Sequence, residues 1–180
     1  AGELGWELHI PMQNVDEIYD RLMDTGTEFG IENFGTYAMN SLRMEKAYKG
    51  WGSELTTEIS PIEAGLERFV DFSKSFIGRE ASLSRKLLGI NTKLVYLEVD
   101  TNDTDCLGNE PVLNGEQIIG VTTSGAYGHS VRKSLAFAYV HPQYADSGTN
   151  FKIRILGQDC SATVLKEAAY DPQNLRLKDV

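Results

Sequence analysis

Cysteine, histidine and long hydrophobic runs are scarce in this sequence of 180 residues, and each shortage argues against a class of protein. The two cysteines, Cys106 and Cys160, lie in different segments without CxxC spacing, so no disulfide-built scaffold is expected, although one disulfide stays open. The three histidines, His9, His129 and His141, show no metal-ligand spacing. No apolar run approaches the roughly 20 residues that a membrane span needs. We therefore expect no metal site, no membrane partner and a reducing compartment.

Positive charge is also in short supply. Lysine and arginine number 17 against 26 acidic residues, which gives a net charge of -9 and a pI of about 4.8. Such a surface repels phosphates, so nucleic acid is not an expected partner, while a local basic pocket for a small anion stays open. With 41% hydrophobic residues, a chain of this length has enough apolar material for a core, in one domain or two small ones.

The first half of the chain carries helical patterns separated by loops. Residues 7–11 are typical of a short strand that ends at a proline. Asn14 followed by Glu17 resembles a capping box, and the apolar spacing after it predicts a helix to Gly26. Two more helices are predicted at 36–47 and 79–88.

From about residue 91 the pattern changes to short strands. Strands are predicted at 93–100, 117–123, 134–140, 150–156 and 161–165. The turn signals between them are Asn114-Gly115, Ser124-Gly125, Ser147-Gly148 and Gly157-Gln158-Asp159. This spacing predicts a small barrel or sandwich, so we expect an α+β chain with an α/β part at 1–90 and an all-β part at 91–180.

Two groups of side chains are candidates for binding. A carboxylate on a strand, such as Glu7, is more often solvated than functional, but a buried one would accept paired hydrogen bonds from the N–H and NH2 groups of a pterin-like ring. Tyr48, Trp51, Lys46 and Lys49 form an aromatic and basic cluster. They fit a partly buried helix end with solvated lysines, or an aromatic wall for a flat heterocycle with an anionic tail. No Ser/His/Asp order and no GxSxG motif supports hydrolase chemistry.

Six short segments point, in their order, to one family. They are Gly-Glu-Leu-Gly-Trp-Glu-Leu at 2–8, Ser-Leu-Arg-Met-Glu-Lys at 41–46, Pro-Ile-Glu-Ala-Gly-Leu at 61–66, Phe-Ile-Gly-Arg-Glu-Ala at 76–81, Gly-Val-Thr-Thr-Ser-Gly at 120–125 and Leu-Ala-Phe-Ala-Tyr-Val at 135–140. Together they resemble the C-terminal part of the glycine-cleavage T-protein (aminomethyltransferase) family over nearly the whole chain. Residues 34–40 and 49–52 look more like the folate-binding end of dimethylglycine and sarcosine dehydrogenases.

This resemblance implies both a reaction and its cofactors. Those dehydrogenases join an N-terminal, FAD-containing amine oxidase domain to the folate-binding part. Tetrahydrofolate would take up the formaldehyde equivalent released when an N-methyl group is oxidised, giving 5,10-methylenetetrahydrofolate. Folate and an N-methylated glycine would be the small-molecule partners, and FAD would lie in an N-terminal region of the same protein.

The resemblance also implies roles for two residues. Glu7 stands where the family has its pterin-binding glutamate, and Tyr48 where it has an aromatic residue near the folate. Trp51, from the aromatic and basic cluster, would be a second wall. The family's catalytic aspartate falls upstream of Ala1, so the catalytic residue is unknown. A chain that starts at Ala1 inside a structured element is expected to be a fragment, inactive by itself.

Two alternatives stay open beside this interpretation. A free-standing aminomethyltransferase of the glycine cleavage system is disfavoured by Met39 and Asn40, which stand where T-protein has an arginine. A T-protein-like module without chemistry, serving as a regulatory or structural subunit, is the other. The resemblance implies a cytoplasmic protein, or one of the mitochondrial matrix in a eukaryote. For each of these functions, residues 1–90 would form the C-terminal portion of the folate-binding α/β region, and residues 91–180 would form the C-terminal barrel.

Overall fold

Helices occupy the first half of the chain and strands the second in the computed structural model, which describes residues 2–178. The elements are α1 (Val15–Gly26), α2 (Thr36–Glu45), α3 (Arg79–Leu88), β1 (Lys93–Asp100), β2 (Pro111–Asn114), β3 (Gln117–Gly128), β4 (Lys133–Val140), β5 (Asn150–Ile155), β6 (Gln158–Val164) and α4 (Leu175–Lys178). The predicted α+β class and the three predicted helices are confirmed. The domain boundary at residues 90 and 91 stays a prediction.

The six strands form a closed barrel in the order β1-β4-β3-β2-β5-β6, and every pair is antiparallel. The first and last strands close the barrel, with Leu97 opposite Val164 and Asp100 opposite Ser161. Closure leaves no long unpaired edge in this sheet. A barrel, one of the two predicted architectures, is therefore the one that forms.

Strand β1 is buried on both of its faces. Val95, Leu97 and Val99 point into the barrel core. The alternate residues contribute to a second apolar cluster, the outer layer, which consists of Met44, Leu94, Tyr96, Leu135, Phe137 and Tyr139. Because helix α2 supplies Met44 to this layer, the outer face of β1 and β4 is covered, and both strands are nearly continuous runs of apolar residues.

Two of the predicted turns are tight hairpins. Asn114 pairs with Gln117 across a two-residue loop at the end of β2. Leu156 and Gly157 connect β5 to β6, with φ of 47° and 83°. Both residues have a left-handed backbone conformation, which a two-residue hairpin loop needs in order to match the twist of its strands.

The turn predicted at Ser124-Gly125 is wrong, because both residues lie inside β3. The register of β3 shifts between Thr122 and Ser124 at a bulge. A Cβ on Gly125 would lie 2.6 Å from the carbonyl oxygen of Cys106. The glycine therefore permits a close backbone approach within a strand, which is another common reason for glycine in a sheet. Strand β2 escaped prediction because it has only four residues and begins with proline.

The N-terminal segment differs from its prediction in two ways. Residues 7–11 form no strand, and no partner strand for them occurs among residues 2–178. Asn14 belongs to a short 3-10 turn and its side chain makes no capping bond, so the predicted capping box is absent and α1 continues from that turn. Helix α1 is amphipathic, yet Val15, Tyr19 and Leu22 on its apolar stripe are all exposed.

Candidate functional site

Helix α2 is fixed along strand β3 by side chains from its C-terminal half. Asn40 Nδ2 donates to the Gly125 carbonyl at 3.2 Å, and Ser41 Oγ donates to the Tyr127 carbonyl at 2.6 Å. Met44, one turn later, is completely buried in the outer layer. The helix therefore has a fixed position on the barrel, and so does the segment that follows it.

A buried carboxylate, Glu54, organises the segment after α2. Its Oε2 accepts hydrogen bonds from Arg43 Nη1 at 3.1 Å and from the Gly50 N–H at 2.7 Å. Its Oε1 accepts from the hydroxyl groups of Thr123, at 2.7 Å, and Ser124. Both oxygens are thus paired, which is the condition under which a carboxylate is stable in a protein interior. Sequence reasoning missed Glu54, because one acid in a turn-rich segment gives no signal of burial.

The same network fixes the backbone that carries the two predicted aromatic walls. Arg43 Nη1 also donates to the Tyr48 carbonyl at 3.0 Å. The Leu55 N–H donates to the Gly50 carbonyl at 3.0 Å, and the Gly52 N–H donates to the Leu55 carbonyl at 2.8 Å. We call residues 48–55 the aromatic loop. Its side chains at the two predicted positions are accessible, with Tyr48 37% and Trp51 79% exposed.

Lys46 is not the solvated lysine that one interpretation of the cluster expected. Its side chain is buried, and Nζ lies 3.0 Å from Asp171 Oδ2. The rings of Tyr48 and Tyr170 flank this ammonium group, each with its centroid 5.9 Å from Nζ. Burial alone would raise the pKa of Asp171, but the Leu175 N–H and the ammonium of Lys46 outweigh it and hold the pKa below its ordinary value. Lys46 is therefore a structural clamp between α2 and the C-terminal segment.

No hydrogen bond joins Glu7 to this clamp among residues 2–178. Its side chain is exposed, and among residues 2–178 no hydrogen bond joins it to Tyr48 or Trp51. Glu3, in the same motif, accepts a hydrogen bond from the Tyr170 hydroxyl at 3.0 Å. The structure thus brings the beginning of the motif to the Lys46 clamp beside Tyr48. The site formed by Glu7, Tyr48 and Trp51 stays a prediction.

Two family models match the chain in its sequence order. The GCVT N-terminal domain matches residues 1–74, and the glycine cleavage T-protein C-terminal barrel domain matches residues 92–171. The chain belongs to the glycine-cleavage T-protein family. The resemblance inferred from the six segments is therefore confirmed.

Named relatives of this T-protein-family chain are longer than the chain itself. Mitochondrial dimethylglycine dehydrogenase of Mus musculus is 44% identical over 182 residues, 99% of this chain and 21% of that protein. The mitochondrial pyruvate dehydrogenase phosphatase regulatory subunit of Mus musculus is 37% identical over 154 residues, 82% of this chain and 18% of that protein. The chain thus spans about a fifth of the length of these relatives.

A solved structure supports the fold of the T-protein family for this chain. It is the glycine cleavage system aminomethyltransferase T from Bartonella henselae, with a TM-score of 0.82 at 24% identity. The match covers 91% of this chain and 45% of that one. At this identity the similarity establishes the fold, and the barrel and helices described above are those of a T-protein.

The other family segments also have structural roles in this T-protein-family chain. In the turn at 61–66, Glu63 accepts from the Ser60 N–H at 2.8 Å and pairs with Arg85 of α3 at 2.8 Å. Its carbonyl accepts from the Leu94 N–H at 2.9 Å. In the segment at 76–81, Arg79 Nε donates to the Phe72 carbonyl at 2.9 Å. These segments hold the connection between α2 and the barrel in place.

Among the described residues, the cysteines and the candidate metal ligands form no binding or catalytic site. Both cysteines are free, and burial, followed by the charge of Glu110, raises the pKa of Cys106 to about 12, so this thiol is unreactive. Within the described residues no group of His, Cys, Asp and Glu side chains is arranged to hold a metal ion. No helix between residues 2 and 178 is long and apolar enough to cross a membrane.

Proposed function

We propose that this chain is the tetrahydrofolate-binding C-terminal part of an enzyme like the dimethylglycine and sarcosine dehydrogenases. In such an enzyme, folate would take up the one-carbon unit released from an N-methylated glycine, and the product would be 5,10-methylenetetrahydrofolate. The proposal is supported by the 44% identity to a dimethylglycine dehydrogenase over nearly the whole chain.

The aromatic loop is the structural observation that carries the folate proposal. A flat heterocycle binds best to aromatic faces that are already fixed, since little conformational entropy is then lost. Arg43 and Glu54 fix the backbone at the Tyr48 carbonyl and the Gly50 N–H, while the side chains of Tyr48 and Trp51 remain accessible. The loop therefore has the properties of a preorganised wall.

The residues of the predicted site fit a folate in chemical type. Glu7 offers an exposed carboxylate that can accept two hydrogen bonds from the N–H and NH2 groups of a pterin ring. Tyr48 and Trp51 would contact its faces, and Lys49 would contribute positive charge near the anionic tail. The role of this chain would be to bind and orient the folate and to exclude water around it.

The oxidation itself is assigned to residues outside this chain. FAD would supply the redox chemistry, and the chain contains no dinucleotide-binding GxGxxG following a strand. The N-methylated glycine would bind in the same outside region. Since the dimethylglycine dehydrogenase relative is named as mitochondrial, we propose the mitochondrial matrix as the location in a eukaryote.

Two other functions compete with this one. A glycine-cleavage aminomethyltransferase would place an arginine near residue 39, but Met39 carries no charge, and Asn40 is occupied by Arg43 and the Gly125 carbonyl. A regulatory module without chemistry has direct support from a relative named as a phosphatase regulatory subunit. Folate binding distinguishes that module from an enzyme.

Calorimetric titration with tetrahydrofolate tests the proposal, on this chain and on a longer natural protein that contains it. In the longer protein, Glu7→Gln and Trp51→Ala should each weaken binding about tenfold or more, because one charge-assisted hydrogen bond or one aromatic face is worth about 1.4 kcal/mol or more. Glu28→Gln and Tyr37→Ala, at exposed positions outside the predicted site, are the matched controls. Absence of folate binding in both proteins would favour the regulatory module.

A further inference from the structure

A pocket of about 240 Å3 lies between the outer layer of the barrel and the segment that follows α2. Leu94, Tyr96 and Phe137 contribute its apolar surface. The Tyr96 hydroxyl already donates to the Met44 carbonyl at 2.8 Å, so Tyr96 adds an aromatic ring and no available polar group. This volume is large enough to take a small organic acid.

The charged residues of this pocket are Lys49, Lys166 and Glu167. Lys49 is half-buried, whereas Lys166 and Glu167 are exposed. In the part of the chain that the structure describes, the ion pairs include neither lysine. The carboxylate that attracts Lys49, Glu54, is already bound to Arg43. The pocket therefore contains a partly buried ammonium group without an anion of its own.

The pKa of Lys49 also indicates that no nearby negative charge balances its ammonium group. Burial, and then repulsion from Arg68, lower the pKa of Lys49 against a smaller attraction from Glu54. A ligand carboxylate beside this group would restore the missing negative charge. Glu167 is exposed, so water and salt screen its repulsion of such a carboxylate more strongly than they screen the attraction of the half-buried Lys49.

We propose that this pocket binds a small organic anion, with its apolar body against Leu94, Tyr96 and Phe137 and its carboxylate beside Lys49. The pocket lining includes neither Tyr48 nor Trp51, so the aromatic faces of the proposed folate site take no part here, and the two sites share only Lys49. The ligand class follows from the apolar surface, the volume and the partly buried, unpaired cation Lys49 together. An aromatic or branched aliphatic monocarboxylate satisfies all three.

Titration of the 180-residue chain with benzoate, and with benzamide as its neutral analogue, tests this site. The dissociation constants would be measured by calorimetry, with the Lys49 side-chain resonances followed by NMR. We expect benzoate to bind at least about tenfold more tightly than benzamide, because only the carboxylate brings a charge opposite to that of the Lys49 ammonium. Equal affinities for the two compounds, or binding that leaves the Lys49 resonances unmoved, would overturn the proposal.

Charge variants sharpen the test. Lys49→Gln should remove the preference for benzoate, and Glu167→Gln should increase it about two- to threefold. Lys152→Gln removes a lysine that is 55% exposed on β5, outside the pocket, and should have no effect. Equal losses in Lys49→Gln and Lys152→Gln would reveal a non-specific charge effect and contradict the site.

A steric variant covers the case in which Lys49→Gln fails to fold. Ala168 lines the pocket and is only partly buried, so Ala168→Phe adds volume there without changing charge. It should abolish benzoate binding while the NMR spectrum of the barrel core is preserved. Undiminished binding in a folded Ala168→Phe chain would also overturn the proposal.

Discussion

Arg43 and Glu54 form an ion pair, with Nη1 and Oε2 3.1 Å apart, at the junction between helix α2 and strand β3. The Glu54 side chain is completely buried, and the Arg43 side chain is partly buried. Arg43→Met should lower the free energy of unfolding by about 3 kcal/mol, since it leaves a buried carboxylate with one charged partner fewer. Urea denaturation measures the change. Arg154→Met, which breaks a solvent-exposed pair with Asp159, is the control and should change stability little.

The phenol groups of Tyr96 and Tyr139 tie helix α2 and the segment that follows it to the barrel. They donate to the Met44 carbonyl at 2.8 Å and to the Glu54 carbonyl at 2.7 Å. Phenylalanine at position 139 keeps the ring but removes the donor to the Glu54 carbonyl, at a cost of about 1 kcal/mol, whereas the Met44 carbonyl would keep a hydrogen bond from the Ala47 N–H after Tyr96→Phe. Tyr37→Phe, at a residue that is almost fully exposed, should cost nothing measurable. Equal stability of Tyr139→Phe and Tyr37→Phe in urea denaturation would contradict this account.

The contribution of Glu63 to stability should depend on pH. Burial alone would raise the pKa of Glu63, but hydrogen bonds from Ser60 and the charge of Arg85 outweigh it, so the folded-state pKa lies below the ordinary value. The ionised form is then favoured by folding, and the stabilisation is present above about pH 4.5 and lost as the pH falls through the folded-state pKa. Glu63→Gln should therefore be less stable than the natural sequence near pH 7, by about 1–2 kcal/mol.

Urea denaturation of both proteins between pH 7 and pH 3 checks the sign of this effect. The difference in unfolding free energy should shrink on acidification. A difference that stays constant, or grows in acid, would show that the Glu63 carboxylate is not favoured by folding.

Gly125 should resist substitution far more strongly than a glycine in open surroundings such as Gly5. The Cβ of an alanine there would meet the Cys106 carbonyl oxygen at 2.6 Å and the Cys106 Cβ at 2.8 Å, so the strand or the facing segment must move. We expect Gly125→Ala to cost about 2 kcal/mol or more, as other forms of overpacking do. Gly5→Ala, where the nearest atom is a carbonyl oxygen 3.9 Å away, should be tolerated. Thermal denaturation of the two variants distinguishes these outcomes.

The barrel and the helices could be predicted because local sequence patterns specify them. Residues of β1 and β4 are apolar in runs too long for a loop, and the turn residues at Asn114-Gly115 and Gly157 supply the backbone conformations that hairpins require. Helix α3 was predicted with its observed bounds from its glycine-delimited pattern. These signals lie within a few residues of the element that they specify.

The polar junction between α2 and the barrel could not be predicted in the same way. Glu54 meets Thr123 and Ser124 across 69 and 70 residues of sequence, and Lys46 meets Asp171 across 125. No local pattern distinguishes such buried charges from the solvated ones that are far more common. The strand predicted at residues 7–11 is absent for a related reason. A strand forms only beside a partner strand, and the described residues supply none for this segment.

The hydrogen bond between Glu3 and Tyr170 determines how this chain would carry mechanical load. It joins points 167 residues apart, and the Lys46–Asp171 ion pair lies beside it. A force applied between residues 2 and 178 would therefore act first on these few contacts. The barrel lies between residues 3 and 170 in the sequence, so its hydrogen bonds would bear no tension until the Glu3–Tyr170 and Lys46–Asp171 contacts had broken. In a pulling experiment the Glu3–Tyr170 and Lys46–Asp171 contacts should break at low force, well before the strands separate.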